Sequence, residues 1–155
     1  MKRTEVLGMK ISSRGRYALR LMLDLVENGG DSWTTLRDIS ARQGLSVKYL
    51  EQIVPSLSKS GLLLSVRGPQ GGYKLSRKPQ EYTIGDILRA IEGNLAPIAC
   101  LSTEVNDCEH ADTCATLQFW KGLHNVVNEY VDSVTLDDLA HAATSGNPIE
   151  SSYKI

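Results

Sequence analysis

No run of eighteen or more apolar residues occurs in this 155-residue chain, so no segment is built to cross a membrane as a helix. The opening MKRTEVLGMKISSRGRYALR lacks an apolar stretch and a small-residue cleavage site, so no secretory signal is expected. Cysteine is scarce: three residues, all between Cys100 and Cys114, an odd number that closes no disulfide framework. These absences predict a cytoplasmic protein with reduced thiols. No CxxC knuckle is present, which argues against a zinc finger or ribbon. No HExxH, phosphate-cradling glycine loop or nucleophile–base set is found either, so an enzyme is not expected.

A hydrophobic content of 41% supports a core, and the length suits one domain or a small domain plus an accessory element. The net charge of −1 hides two unlike halves. Residues 1–80 carry 14 Lys/Arg against 6 Asp/Glu, a net of +8, whereas residues 81–155 carry 3 against 12, a net of −9. Such a split points the first half toward a polyanion, with chance clustering of solvated charges as the plain alternative.

Apolar periodicity predicts an amphipathic helix over Ser13–Asn28, ended by Gly29–Gly30, and a short second helix over Leu36–Gln43 punctuated by Gly44. Ser46 is a good N-cap for a third helix reaching about Ser60, with Leu45 and Leu50 as a hydrophobic staple. Pro55 removes a backbone donor and crowds the Glu51 carbonyl, which predicts a kink or local break in the third turn. Residues 62–66 and 73–76 read as strands around the turn RGPQGG, a β-hairpin. Thr83 caps a further helix closed by Gly93. Cys100–Cys114 reads as a polar loop and Cys114–Ser133 as the longest helix. Thr135 caps a short last helix over 136–143, and the tail 144–155 is expected to be disordered.

Two short helices joined at a glycine and followed by a hairpin form a winged helix–turn–helix. The fold class expected is therefore mainly α with a small β-hairpin, plus a long C-terminal helix. In this arrangement the third helix faces the DNA major groove with Ser46, Val47, Lys48, Glu51 and Gln52. Gln52 can pair with adenine and Glu51 can accept from the cytosine amino group. Arg67 at the wing tip suits a narrow minor groove, and Gly68, Gly71 and Gly72 let backbone approach phosphates. Taken singly, each has a plainer reading as a solvated side chain or a turn glycine; taken together with the charge of the first half they favour nucleic-acid binding.

MKISSRGRYALRLMLDL, DISARQGLSVKYLEQIV and GLLLSVRGPQGGYKLS closely resemble the IscR-type regulators of the Rrf-two family, over about residues 9–140. The signatures SxxYLEQ and VRGPxGGY carry the resemblance, and the first adds Tyr49 to the candidate DNA-binding set. The resemblance places the family's base-reading glutamate and glutamine on Glu51 and Gln52, its minor-groove arginine on Arg67 and a serine of the reading helix on Ser46. Lys48 stands where some members have a second serine. It also implies a homodimer held by the long helix, whose stripe Leu117, Trp120, Leu123, Val127 and Val131 needs a partner or packs on its own chain. Two-fold symmetry then implies a palindromic operator in double-stranded DNA.

The resemblance further implies that Cys100, Cys108 and Cys114 ligate an iron–sulfur cluster, two-iron two-sulfur by preference. Soft thiolates suit such a cluster or zinc, and a thiol at a helix start is expected to ionise more readily. Leu117 stands where one relative has a histidine ligand, and Arg16 where another has an aspartate, so the fourth ligand is open, with His110 the local candidate. The division expected is an extension over 1–8, a winged helix–turn–helix over 9–80, a linking helix and loop over 81–99, a cluster-binding loop over 100–114, dimerisation and final helices over 115–143, and the tail. The first functional reading is a DNA-binding regulator gated by the cluster, controlling iron–sulfur assembly, iron or cysteine-metabolism genes. The alternatives are a cluster-free regulator of cysteine metabolism controlled by contact with a cysteine-biosynthesis enzyme, and a zinc or thiol-switch regulator.

Overall fold

The computed structural model describes residues 10–149. The expected 1–8 extension and positions 150–155 of the expected tail lie outside the described residues. Among the described residues the chain forms α1 (Ser13–Asn28), α2 (Leu36–Gln43), α3 (Val47–Lys59), β1 (Leu63–Val66), β2 (Gly72–Leu75), α4 (Ile84–Glu92), α5 (Leu117–Ser133) and α6 (Leu136–Ser145). The two strands pair antiparallel, with Leu63 opposite Leu75 and Val66 opposite Gly72. This is the mainly helical, winged arrangement the sequence predicts.

Local chemistry explains the helix starts. The hydroxyls of Ser12, Thr35, Ser46, Thr83 and Thr135 each accept a backbone N–H of the first turn of the helix that follows. Each such cap contributes about 1 kcal/mol. Helix α5 is different, because Thr116 makes no side-chain cap. It also begins at Leu117, so Cys114 lies ahead of it rather than at its start.

Two further expectations are corrected. The local break, one of the two outcomes expected at Pro55, is absent, and helix α3 is continuous from Val47 to Lys59. Pro55 and Glu51 both face solvent, so the Glu51 carbonyl that lost its helical donor can be hydrated instead. The expected tail is also shorter, since Thr144 and Ser145 belong to α6 and half-buried Ile149 packs against an apolar cluster.

One core joins the first half of the chain to the second. Ala18, Leu21, Met22 and Leu25 of α1 meet Ile39, Leu50, Ile53 and Leu57, and the same cluster includes Tyr82, Ile87 and Leu136. Residue 80 is therefore no boundary in packing. Tyr82 is fully buried, and its hydroxyl donates to the Leu62 carbonyl while accepting from the N–H groups of Ser76 and Arg77. That ties the base of both wing strands to the residue before the α4 cap. A second cluster, Ile84, Leu88, Leu95 and Val134, takes Val127 and Val131 of α5.

Candidate nucleic-acid interface

The turn between α2 and α3 is braced from behind by α1. Asp24 of α1 is wholly buried and accepts from Arg42 Nη2 at 2.7 Å, Arg42 Nε at 3.0 Å and Gln43 Nε2 at 3.0 Å. Arg20 donates to the Gln43 carbonyl at 2.6 Å and lies over the Tyr17 ring. Tyr17 in turn packs edge-on against Tyr49 of α3, with ring centroids 5.5 Å apart. Arg14 donates to the Gln52 carbonyl at 3.0 Å. Sequence reasoning missed this brace, although Arg14, Tyr17, Arg20 and Asp24 recur at helical spacing in the first helix.

What the brace presents is a row of uncommitted polar groups. Lys48, Glu51 and Gln52 are exposed on α3, and their side chains make no hydrogen bond or ion pair within the described residues. The Ser46 hydroxyl is taken up as the cap, 3.1 Å from the Tyr49 N–H, and the Tyr49 ring is half-buried against Tyr17. These two residues shape the helix, whereas Lys48, Glu51 and Gln52 are free to meet a ligand.

The wing places Arg67 and Gly68 at its exposed tip. Gly71 and Gly72 serve the protein itself. A Cβ on Gly71 would lie 2.1 Å from the Val66 carbonyl oxygen, and one on Gly72 would lie 2.4 Å from the Thr34 carbonyl oxygen. Thr34 pairs with Tyr73 through two backbone hydrogen bonds of 2.8 and 2.9 Å, which adds a third strand-like segment to the wing. Close backbone contact is by itself enough to require glycine at both positions.

The cysteine segment is exposed and only lightly structured. Ala99–Leu101 and Ala111–Thr113 form single 3₁₀ turns. Cys100 is half-buried, while Cys108, Cys114 and His110 are exposed. The Thr116 hydroxyl, 3.6 Å from Cys114 Sγ, holds that thiol below its usual value, and backbone N–H groups of Thr116 and Leu117 act in the same direction. The lowering expected from a helix dipole is thus present, with a side-chain hydrogen bond as its main cause. Three soft donors suit an iron–sulfur cluster. Among the described residues no three Cys, His, Asp or Glu side chains are grouped to hold a metal ion. Leu117, in place of a histidine donor, is buried.

The α5 stripe is divided between two tasks. Leu117 is buried, and Val127 and Val131 pack on the α4 cluster of the same chain. Trp120 and Leu123 are half-buried. The outward apolar face is instead Phe119, Val126 and Tyr130, at 66%, 45% and 43% exposure. Their spacing of seven and four is visible in the sequence, on the face beside the stripe of Leu117, Trp120, Leu123, Val127 and Val131.

The sequence profile of the Rrf2 family, described as an iron-dependent transcriptional regulator, matches residues 11–142. The chain belongs to the Rrf2 family of transcription regulators. It is 37% identical over 133 residues to the HTH-type transcriptional regulator IscR of Pectobacterium atrosepticum, covering 86% of this chain and 80% of that protein. It is 40% identical over 132 residues to the HTH-type transcriptional regulator CymR of Bacillus subtilis, covering 85% and 90%. Among solved structures, T. potens IscR superposes with a TM-score of 0.71 at 36% identity, covering 93% of this chain and 95% of that one. CymR, the global cysteine regulator of B. subtilis, superposes with a TM-score of 0.68 at 39% identity, covering 85% and 96%. These relatives are named as transcription regulators, a non-enzymatic role. As an Rrf2 protein the chain is a DNA-binding regulator, and among its described residues no helix is long and apolar enough to cross a membrane.

Proposed function

We propose that two copies of this chain bind a palindromic operator in double-stranded DNA, paired through the outward face of α5, in the cytoplasm. Lys48, Glu51 and Gln52 meet the major groove, and Arg67 reaches the minor groove from the wing. The observation that carries this reading is the braced α3, which holds three uncommitted polar side chains in the positively charged half of the chain. Phe119, Val126 and Tyr130 support pairing, because an exposed apolar face of this kind marks an interaction site. In this division of labour the first half reads DNA, α5 pairs, and residues 100–114 carry control.

Two modes of control draw on different observations. Three exposed thiols in one segment, and relatives named IscR, support an iron–sulfur cluster on Cys100, Cys108 and Cys114 with His110 as a further donor. Thiols that are not gathered, buried Leu117, and relatives named CymR support cluster-free control of cysteine metabolism by contact with a biosynthetic enzyme. Anaerobically purified protein tested for iron, sulfide and visible absorption separates the two. Colourless protein free of iron and sulfide supports cluster-free control, and a spectrum lost in Cys100→Ala, Cys108→Ala and Cys114→Ala supports the cluster. The DNA reading is tested by selecting duplexes from a random pool and measuring fluorescence anisotropy against salt. Affinity falling steeply with salt is expected, and failure to retain any duplex overturns it.

A further inference from the structure

Helix α5 is tied to the rest of the chain just past its end, where the Ile84 N–H donates to the Val134 carbonyl at 2.9 Å and the Leu136 N–H to the Tyr82 carbonyl at 3.0 Å, and by a side-chain grip within its last two turns. Arg89 of α4 places Nη1 2.7 Å from Asp132 Oδ1 and Nη2 2.9 Å from Asp132 Oδ2, near the end of α5. The same Nη2 lies 2.7 Å from Asn128 Oδ1, one turn earlier. The Asn128 amide is held by donating to the His124 carbonyl at 2.9 Å. A forked guanidinium–carboxylate pair fixes angle as well as distance. The apolar contact beside it, Val127 and Val131 on Ile84 and Leu88, is non-directional and tolerates tilt.

Gly85 lets the two helices meet closely enough for this fork. A Cβ there would lie 2.1 Å from Asp132 Oδ1, 2.7 Å from Arg89 Nη1 and 3.1 Å from Val131 Cγ2. Helix α4 also belongs to the core that seats α3, through Ile87 against Leu50, Ile53 and Leu57. The path from reading helix to rod therefore runs α3, α4, clasp, α5.

We propose that Arg89 is a positioning residue: its fork onto Asp132 and Asn128 sets the angle at which α5 leaves the winged region, and so the half-site spacing a pair of chains accepts. The inference rests on the proposed DNA-binding dimer. The lever is long enough to matter. Seventeen helical residues span about 25 Å. A tilt of about 10° at the clasp moves the far end by about 4 Å, against a rise of about 3.4 Å per base pair.

The test uses the full chain and an operator selected from a random duplex pool by the wild type. Spacers between the half-sites are then lengthened and shortened one base pair at a time. Arg89→Lys keeps the charge and loses the fork. Gly85→Ala keeps both charged groups and displaces the flexible Asp132 carboxylate. Wild type should show a sharp spacing optimum. Both variants, confirmed folded and paired by circular dichroism and sedimentation, should bind that optimal operator about tenfold more weakly and accept neighbouring spacings more evenly. Their affinity for an isolated half-site should equal that of wild type. A sharp, unshifted profile in both variants overturns the role of Arg89 and leaves the regulator reading intact. A wild type that selects no two-fold site overturns the dimer reading and this inference together.

Discussion

The Asp24–Arg42 pair should respond unequally to loss of its two members. Asp24 is fully buried, whereas the Arg42 side chain is 36% exposed. Arg42→Ala strands a carboxylate that keeps only Gln43 Nε2 at 3.0 Å and Asn28 Nδ2 at 3.4 Å. Leaving one member of a buried ion pair alone costs about 3–5 kcal/mol, and the two retained donors bring this to about 3 kcal/mol. Asp24→Ala instead leaves a guanidinium that already reaches water, at a cost of about 1–2 kcal/mol. Replacing both by leucine removes the charge imbalance and should cost less than Arg42→Ala alone. Urea denaturation followed by circular dichroism, at one fixed protomer concentration, measures all three. An Asp24→Ala loss equal to or larger than that of Arg42→Ala would refute the argument that unequal burial governs this pair.

Other outcomes follow from the site. Gln52→Ala and Glu51→Ala should each remove about 1–3 kcal/mol of discrimination at one base position, seen as a relaxed consensus in duplex selection, while far-ultraviolet circular dichroism is unchanged. Val126→Asp should place a charge on the outward face of α5 and shift the sedimentation of the protein from dimer to monomer. In metal-free protein Cys114 should be alkylated faster near neutral pH than in a Thr116→Val variant, because its lowered value leaves more thiolate present. That gap should close as pH rises and both forms ionise; a gap that persists in strong base would point to access rather than ionisation.

Local signals made most of the fold legible. Serine and threonine caps, glycine stops and apolar spacing placed each helix within a few residues, because those effects act within one turn. Pro55 misled because its cost depends on which face it occupies, and that face is set by packing. The close approach of the Val66 carbonyl to Gly71 and of Thr34 to Gly72 is not legible in the sequence, because it depends on how the wing folds back on itself and on the segment before α2. The α5 stripe was visible, but division between Val127 and Val131 inward and Phe119 and Val126 outward needed the position of α4. Lys48, Glu51, Gln52 and Arg67 were legible as polar residues in a recognisable pattern. The brace of Asp24, Arg42, Gln43 and Arg20 was not, since its partners lie up to 23 positions apart.

The core that seats Ile53 and Leu57 beside Tyr82, Ile87 and Leu136 also limits how this chain can be rebuilt. A fragment cut after the hairpin would expose the underside of its own reading element and lose the hydroxyl that ties both wing strands together. The portion proposed to recognise DNA is therefore not a portable cassette. Chimeras that exchange specificity with a relative should graft side chains onto the surface of α3, leaving the junction behind it untouched.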